Sequence, residues 1–245
     1  MALEQKYNSI ILKKQEYGEA DEIVTLFTLE MGKVRGLAKS SKSAKSKLSH
    51  GLQSLFVVEI SLAGKGLQKI IGVEVLQTFH AIRQHLGATT RAFYALELTL
   101  KFTADEQKNE QLFHLLIAYL QCIDNNAESD RLVDIALAKF KIDFLDTLGV
   151  SVQNETINTV PQAVGFSNQR GGFVLREATA DYNPVSSDTV QLFNILAQTP
   201  FADLKVLSSK ISLEAGEESE LQHVLSRFIV YQLEREVKSE NLLHL

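Results

Sequence analysis

Between residues 8 and 77 the apolar positions recur mainly at strand spacing. Phe56, Val58, Ile60 and Leu62 alternate with Val57, Glu59 and Ser61, and Ile71, Val73 and Val75 alternate with Gly72 and Glu74. These read as two half-buried strands. The break between them, Ala63-Gly64-Lys65-Gly66, supplies the glycines that a tight hairpin needs for positive φ. Upstream, residues 10–13 read as a first strand and residues 23–29 as a second, after a turn at Tyr17-Gly18-Glu19. Residues 33–38 read as a third, with a hairpin over 28–33. Five short strands in about 75 residues predict a small closed barrel, because closure removes the exposed edges that an open sheet would leave.

From Gln84 onward the period becomes helical. Leu86, Phe93, Leu96 and Leu100 fall on one stripe, then Leu112, Leu115, Tyr119 and Ile123, then Val133, Leu137, Phe140, Phe144 and Leu148. Each stripe needs a partner, so the expectation is a bundle, with Gly149 as a C-cap signal. Residues 150–183 lose the helical period and carry Pro161, Gly165 and the pair Gly171-Gly172, which predicts short strands and turns inserted into the helical part. Helices resume with Ser187-Asp188 as cap candidates, and the last long one carries Leu221, Val224, Leu225, Phe228 and Gln232. The expected class is α+β: a barrel domain over residues 1–80 and a helical domain over 81–245, with the insertion at about 150–183.

Charge divides the chain in the same place. The whole carries 25 Lys+Arg against 30 Asp+Glu, but residues 1–80 hold 11 basic and 8 acidic groups, which leaves 14 against 22 for the rest. The run Lys33, Arg35, Lys39, Lys42, Lys45 and Lys47 contains no acidic residue. Like charges raise the energy of a compact surface unless an anion occupies it, and a phosphate backbone is the commonest polyanion. The competing reading is a solubilising lysine loop. A five-stranded barrel of this kind is an oligonucleotide-binding (OB) barrel candidate, and the basic run is then the expected phosphate track. It should follow strand three, where Lys33 and Arg35 share a face, into a mobile Ser/Lys loop.

Other chemistry is mostly excluded. No apolar run approaches the roughly 20 residues of a bilayer span, and residues 1–6 lack the apolar core of a signal peptide, so a cytoplasmic protein is expected. Cys122 is the only cysteine, set among apolar helix residues, and reads as an inert buried thiol. Gly64-Lys65-Gly66 lacks the spacing of a nucleotide-binding loop. Six histidines form no metal spacing, no Gly-x-Ser-x-Gly motif occurs, and Glu214, Glu217, Glu218 and Glu220 read as a solvated helix entry. No cofactor is expected. Phe27 and Phe56 sit in alternating runs and read as core, whereas Tyr7 and Tyr17 are the candidates to stack on bases.

Gly18-Glu19-Ala20-Asp21, followed by residues 24–28, Gly32-Lys33-Val34-Arg35 and Ala38-Lys39-Ser40, resembles the N-terminal barrel of the bacterial RecO family of recombination mediators. Leu52-Gln53-Ser54-Leu55, the helical middle, Gly165-Phe166-Ser167 and Gly171-Gly172-Phe173 follow in the family's order. The resemblance implies an OB barrel, then a helical domain with a small zinc-finger-like insertion, and a nucleoid-associated protein of the RecF pathway of DNA repair. It implies binding of single- and double-stranded DNA, annealing of complementary strands, engagement of the acidic C-terminal tail of single-stranded-DNA-binding protein (SSB), and action with RecR to help load RecA. The family's paired zinc cysteines align with Ile157, Val160, Leu175 and Ala178, so the insertion is expected to hold no zinc and to be closed by a miniature apolar core. For the SSB tail, the expected location is the helix over 130–148, where Arg131, Lys139 and Lys141 surround Phe140 and Phe144. The sequence is also compatible with two other functions: an RNA-binding OB module, and a protein adaptor whose lysine loop is only solubilising.

Overall fold

The structure is a computed structural model and describes residues 5–43, 46, 48–154, 164–175, 181–210, 215–234 and 237–243. Strands β1 (Gln5–Tyr17), β2 (Asp21–Thr28), β3 (Gly32–Ala38), β4 (Val57–Ala63) and β5 (Gln68–Gln77) close into a barrel of order β1-β2-β3-β5-β4. This five-stranded closed barrel is OB-type, as the alternation predicts. β1 is much longer than its apolar centre because it has two partners. Its first half pairs with β4, from Gln5↔Leu62 to Ile10↔Val57, and its second half with β2, from Ser9↔Thr28 to Tyr17↔Asp21. Closure comes from a short parallel contact, Gly36↔Gln68 and Leu37↔Lys69. A Cβ on Gly36 would meet Ile70 Cγ1 at 2.7 Å, so the absent side chain is what lets β3 and β5 approach.

Ile11, Val24, Leu26, Val34, Val58, Ile60, Leu62 and Ile70 fill the barrel. β5 departs from the simple alternation. Its pairing with β4 skips Ile71 and Leu76 at two bulges, which leaves these side chains 50% and 51% exposed while Ile70 and Val73 pack inward. A bulge inserts one residue and flips the facing of those beyond it.

Seven α-helices follow among the described residues: α1 (His80–Gln84), α2 (Leu86–Phe102), α3 (Glu110–Asp124), α4 (Asp130–Thr147), α5 (Ser187–Gln198), α6 (Leu204–Lys210) and α7 (Ala215–Leu233). The stripe expected on α2 holds at Leu96 but is corrected at Leu86 and Phe93, which are exposed, and the buried residues include Ala88, Ala92, Tyr94, Ala95 and Leu98. Periodicity weighed by bulk overlooks alanines that let another element approach. α4 is buried almost all round. Its ends follow the capping rules: Ser129 Oγ accepts from the Leu132 amide, and Gly149 at φ +75° sends its amide to Asp146 while Val150 reaches Leu145. α5 is capped by Ser186, one residue before the expected pair, and its Oγ accepts from the Thr189 amide at 3.1 Å.

The chain forms two compact units, residues 1–84 with 92–114, and residues 85–91 with 115–245. Most of α2 and the start of α3 therefore belong with the barrel rather than with the later helices. In the second unit a small sheet of order β6-β8-β7-β9 is made by β6 (Gln153–Asn154), β7 (Val164–Ser167), β8 (Gly172–Leu175) and β9 (Asn183–Val185). Phe166 and Phe173 meet edge to face at 5.2 Å, Phe166 packs on Phe228 of α7 at 5.4 Å, and Phe173 on Phe193 of α5 at 5.1 Å. These aromatics anchor the sheet to the helices. Asp181 accepts from the Gln169 amide at 3.0 Å and from Ser167 Oγ at 3.3 Å, tying the β7–β8 turn. Ile157, Val160 and Ala178 lie outside the described residues, and Leu175 is half-buried at the end of β8.

Candidate nucleic-acid interface

Strand register decides which side chains share the outer face of the barrel. Lys13 pairs with Thr25 and Thr25 with Arg35, so these three form one row across β1, β2 and β3. The next row runs Gln15, Ile23, Leu37 and Lys69, reaching β5 through the parallel contact. Directly opposed residues point to the same side of a sheet. The face thus carries exposed Lys13, Arg35 and Lys69 around half-buried Thr25, Ile23 and Leu37. Tyr17, 51% exposed, stands at its end beside the β1–β2 hairpin. The β2–β3 face with the β1–β2 and β4–β5 loops is the surface on which OB barrels bind oligonucleotides. Lys65 lies in that second loop, at Ala63-Gly64-Lys65-Gly66, where Gly64 and Gly66 have φ of +112° and +66°.

Lys33 and Arg35 share the outer face as expected, yet Lys33 is not available to a ligand. Its side chain is 13% exposed, and Nζ donates to the carbonyls of Leu100, at 2.9 Å, and Thr103, with Asp105 at 3.4 Å. These are orphan carbonyls near the α2 terminus, and a cation satisfies them. Burial of the neighbouring Phe27 against Phe113 of α3, with ring centroids 6.2 Å apart, closes the same corner. Arg35 is 59% exposed and donates from Nη2 to Asp105 Oδ2 at 2.6 Å. That hydrogen bond is the largest influence on the Asp105 carboxyl; burial opposes it, and the charges of Lys33 and Arg35 add to it, so the carboxyl is held below the usual range.

The loop after β3 begins firmly attached. Ser40 N donates to Asp21 Oδ1, Ser41 Oγ to Glu22 Oε2 and Lys42 N to the Ala20 carbonyl, and Lys42 Nζ lies 3.1 Å from Glu16. Lys39 is exposed, with no ion pair among the described residues, and Lys45 and Lys47 fall outside them. Of the stacking candidates, Tyr7 is buried in the barrel core, where burial and then Glu30 push its phenol upward, so only Tyr17 remains. Phe27 is core as expected, and Phe56 is half-buried under the Arg83 guanidinium at 4.5 Å. Lys13, Lys65 and Lys69 were missing from the sequence-based track. Lys13 was legible in principle, since a hairpin turning at Tyr17 fixes its register with Thr25.

Comparison with known proteins adds two matches that together span nearly the whole chain. Residues 1–79 match a family model described as "Recombination protein O N terminal", and residues 83–241 one described as "Recombination protein O C terminal". The chain belongs to the RecO family. A "DNA repair protein RecO" of Dehalococcoides mccartyi strain CBDB1 is 33% identical over 242 residues, covering 96% of this chain and 92% of the relative. One of Halalkalibacterium halodurans is 27% identical over 228 residues, covering 91% and 87%.

The partner location expected for a RecO-family chain needs correction. Phe140 and Phe144 are fully buried, with Phe140 packed on Tyr119 at 4.6 Å. Lys139 is buried and pairs with Asp143 at 2.7 Å, and Lys141 is buried with Nζ donating to Gln222 Oε1 and Ser226 Oγ at 2.7 and 2.8 Å. Phe140, Phe144 and Lys139 belong to the core of the helical unit rather than to a pocket rim, because α4 runs through its centre, while Lys141, though buried, lines a cleft. Arg131 is the exception: its side chain is 45% exposed and pairs with Glu218 at 2.9 Å. It lines a cleft of about 970 Å³ together with Arg91, Asp134, Leu137, Lys141, Glu240 and Leu243. Burial pushes Lys141 down to about 7, against the pull of Glu240 and Asp134. Cys122 donates to the Phe201 carbonyl and burial raises its thiol to about 11, which suppresses the nucleophilic thiolate. Glu217 and Glu218 lie in the first turn of α7, Glu220 accepts from Ser186 and Thr189, and Glu214 is outside the described residues. Among the described residues no group of three or more His, Cys, Asp or Glu could hold a metal, and no helix is long and apolar enough to cross a membrane.

Proposed function

We propose that this RecO-family chain is a non-enzymatic DNA-binding mediator of recombination in the RecF pathway. It binds single- and double-stranded DNA, anneals complementary strands, engages the acidic tail of SSB, and assists RecA loading together with RecR. The observation that carries the reading is the outer barrel face on which register assembles Lys13, Arg35 and Lys69 around half-buried aliphatic groups. Such a face offers phosphates counter-charge and bases an apolar floor without hydrogen bonds that select sequence.

Annealing on it needs no cofactor. A basic surface that screens two backbones lowers their repulsion and leaves the base edges free to pair. Lys39 and Lys42 continue the track beyond β3, and the reading assigns Lys45 and Lys47, outside the described residues, to the same role. For the SSB tail, Arg131 at the cleft of the helical unit is the accessible cation, and a tail carboxylate would bind it by exchange with Glu218, with Leu137 and Leu243 as apolar contacts.

A strand-annealing assay with naked and SSB-coated oligonucleotides tests the reading. Acceleration of both is the expected result. Acceleration of neither, with no measurable binding to DNA, contradicts it, and tighter binding to an RNA hairpin than to DNA of the same sequence would favour an RNA-binding module.

A further inference from the structure

Residues 103–109 cross the beginning of β3 within the barrel unit. Asp105 forms a parallel bridge with Lys33, and the Glu106 amide donates to the Lys33 carbonyl at 2.8 Å. The segment therefore continues the sheet at the edge of the basic face. Its carboxylate sits on the Arg35 guanidinium at 2.6 Å, where a phosphodiester oxygen would otherwise bind. Both partners remain about half exposed, at 59% and 47%, so the contact is open to exchange with a solvent-borne anion. Glu106, next to it, holds φ at +58°, a conformation costly for a residue with a side chain. Lys33 is different, since its Nζ also donates to the carbonyls of Leu100 and Thr103.

We propose that Asp105 is a built-in phosphate mimic that occupies the Arg35 subsite of the barrel face, and that a nucleic-acid phosphate must displace it to bind there. The inference rests on the proposed DNA-binding function and deepens it. It makes Arg35 a gated contact, whereas Lys13, Lys39 and Lys69, which form no ion pair among the described residues, meet phosphate directly. Weak ligands with few phosphates leave the gate closed. A longer strand held by the ungated lysines brings a phosphate to Arg35 at high local concentration and opens it.

The test measures single-stranded oligonucleotide affinity against salt for the full chain and for Asp105→Asn, which preserves shape and removes charge. Asp105→Ser serves as a second variant, and thermal midpoints are recorded for all proteins. The expected result is a gain of at least about threefold at low salt and a log-log slope steeper by about 0.7, one phosphate more. In Arg35→Gln/Asp105→Asn the gain disappears relative to Arg35→Gln alone. Wild-type binding with no gain in either folded variant overturns the gate and leaves the DNA-binding reading intact. Weaker binding by the folded variants also overturns it, since Asp105 would then be orienting Arg35 for the ligand. Absence of DNA binding by all the proteins overturns the DNA-binding reading and the gate with it.

Discussion

Lys33 was the first member of the predicted phosphate track, and replacing it by methionine asks what its charge is for. Methionine keeps most of the aliphatic volume and removes the ammonium. The structure assigns Nζ two carbonyl acceptors, Leu100 and Thr103, and a flanking carboxylate, with the side chain 13% exposed. A hydrogen bond involving a charged group contributes about 1.5–3 kcal/mol, and leaving a buried carbonyl unsatisfied costs about 1–3 kcal/mol. Allowing for water reaching one carbonyl in the variant, Lys33→Met should destabilise the barrel unit by about 2–4 kcal/mol. Urea unfolding followed by circular dichroism reads this as a lower midpoint at unchanged slope. The salt dependence of oligonucleotide binding by the folded variant should stay as in the wild type. Full stability combined with a salt slope lowered by about 0.7 would refute the assignment and return Lys33 to the DNA track.

Three further outcomes follow from particular contacts. Gly32 has φ +74°, and a Cβ there would collide with the Gln107 carbonyl, so Gly32→Ala should cost more than about 3 kcal/mol in urea unfolding; a loss below about 1 kcal/mol would contradict the packing of residues 103–109 on β3. Burial depresses Lys141 from 10.5 to about 7. Between those values the unfolded chain binds the extra proton, so stability should climb from about pH 7 toward about pH 9, by up to about 1.4 kcal/mol per unit, and Lys141→Met should flatten the climb; an equally flat wild-type profile would argue against burial of this ammonium. Elemental analysis of purified protein should find no stoichiometric zinc, and chelator should leave the thermal midpoint unchanged, because one cysteine cannot supply a structural tetrad; one zinc per chain would overturn this.

The barrel was readable because alternation is a local property: Val58, Ile60 and Leu62 announce their strand without reference to any partner. Register is not local. Lys13 and Lys69 reach the face of Arg35 only through pairings with β2 and β3, one across a closure contact of two residue pairs. The bulges that turn out Ile71 and Leu76 are likewise set by β4. The basic run includes Arg35 and Lys39 of the proposed face, but charge alone could not separate Lys33, which caps a helix about 70 residues away in sequence, from Lys39, which faces solvent. On α4 the error had the opposite sign. Lys139, Phe140 and Lys141 look like an amphipathic rim in sequence, whereas Asp143, Gln222 and Ser226 make burial of both lysines tolerable by accepting from them.

The claim that the outer barrel face is the phosphate track is tested most directly by a salt titration of single-stranded DNA affinity in Lys13→Ala/Lys39→Ala/Lys69→Ala. These three exposed side chains form no ion pair among the described residues, so their removal should leave the thermal midpoint nearly unchanged. Each lost phosphate contact lowers the slope of log affinity against log salt by about 0.7. The account predicts a slope shallower by about 2 for all sequences alike, with annealing reduced in step. A slope and annealing rate equal to wild type would place the DNA on another surface of the chain.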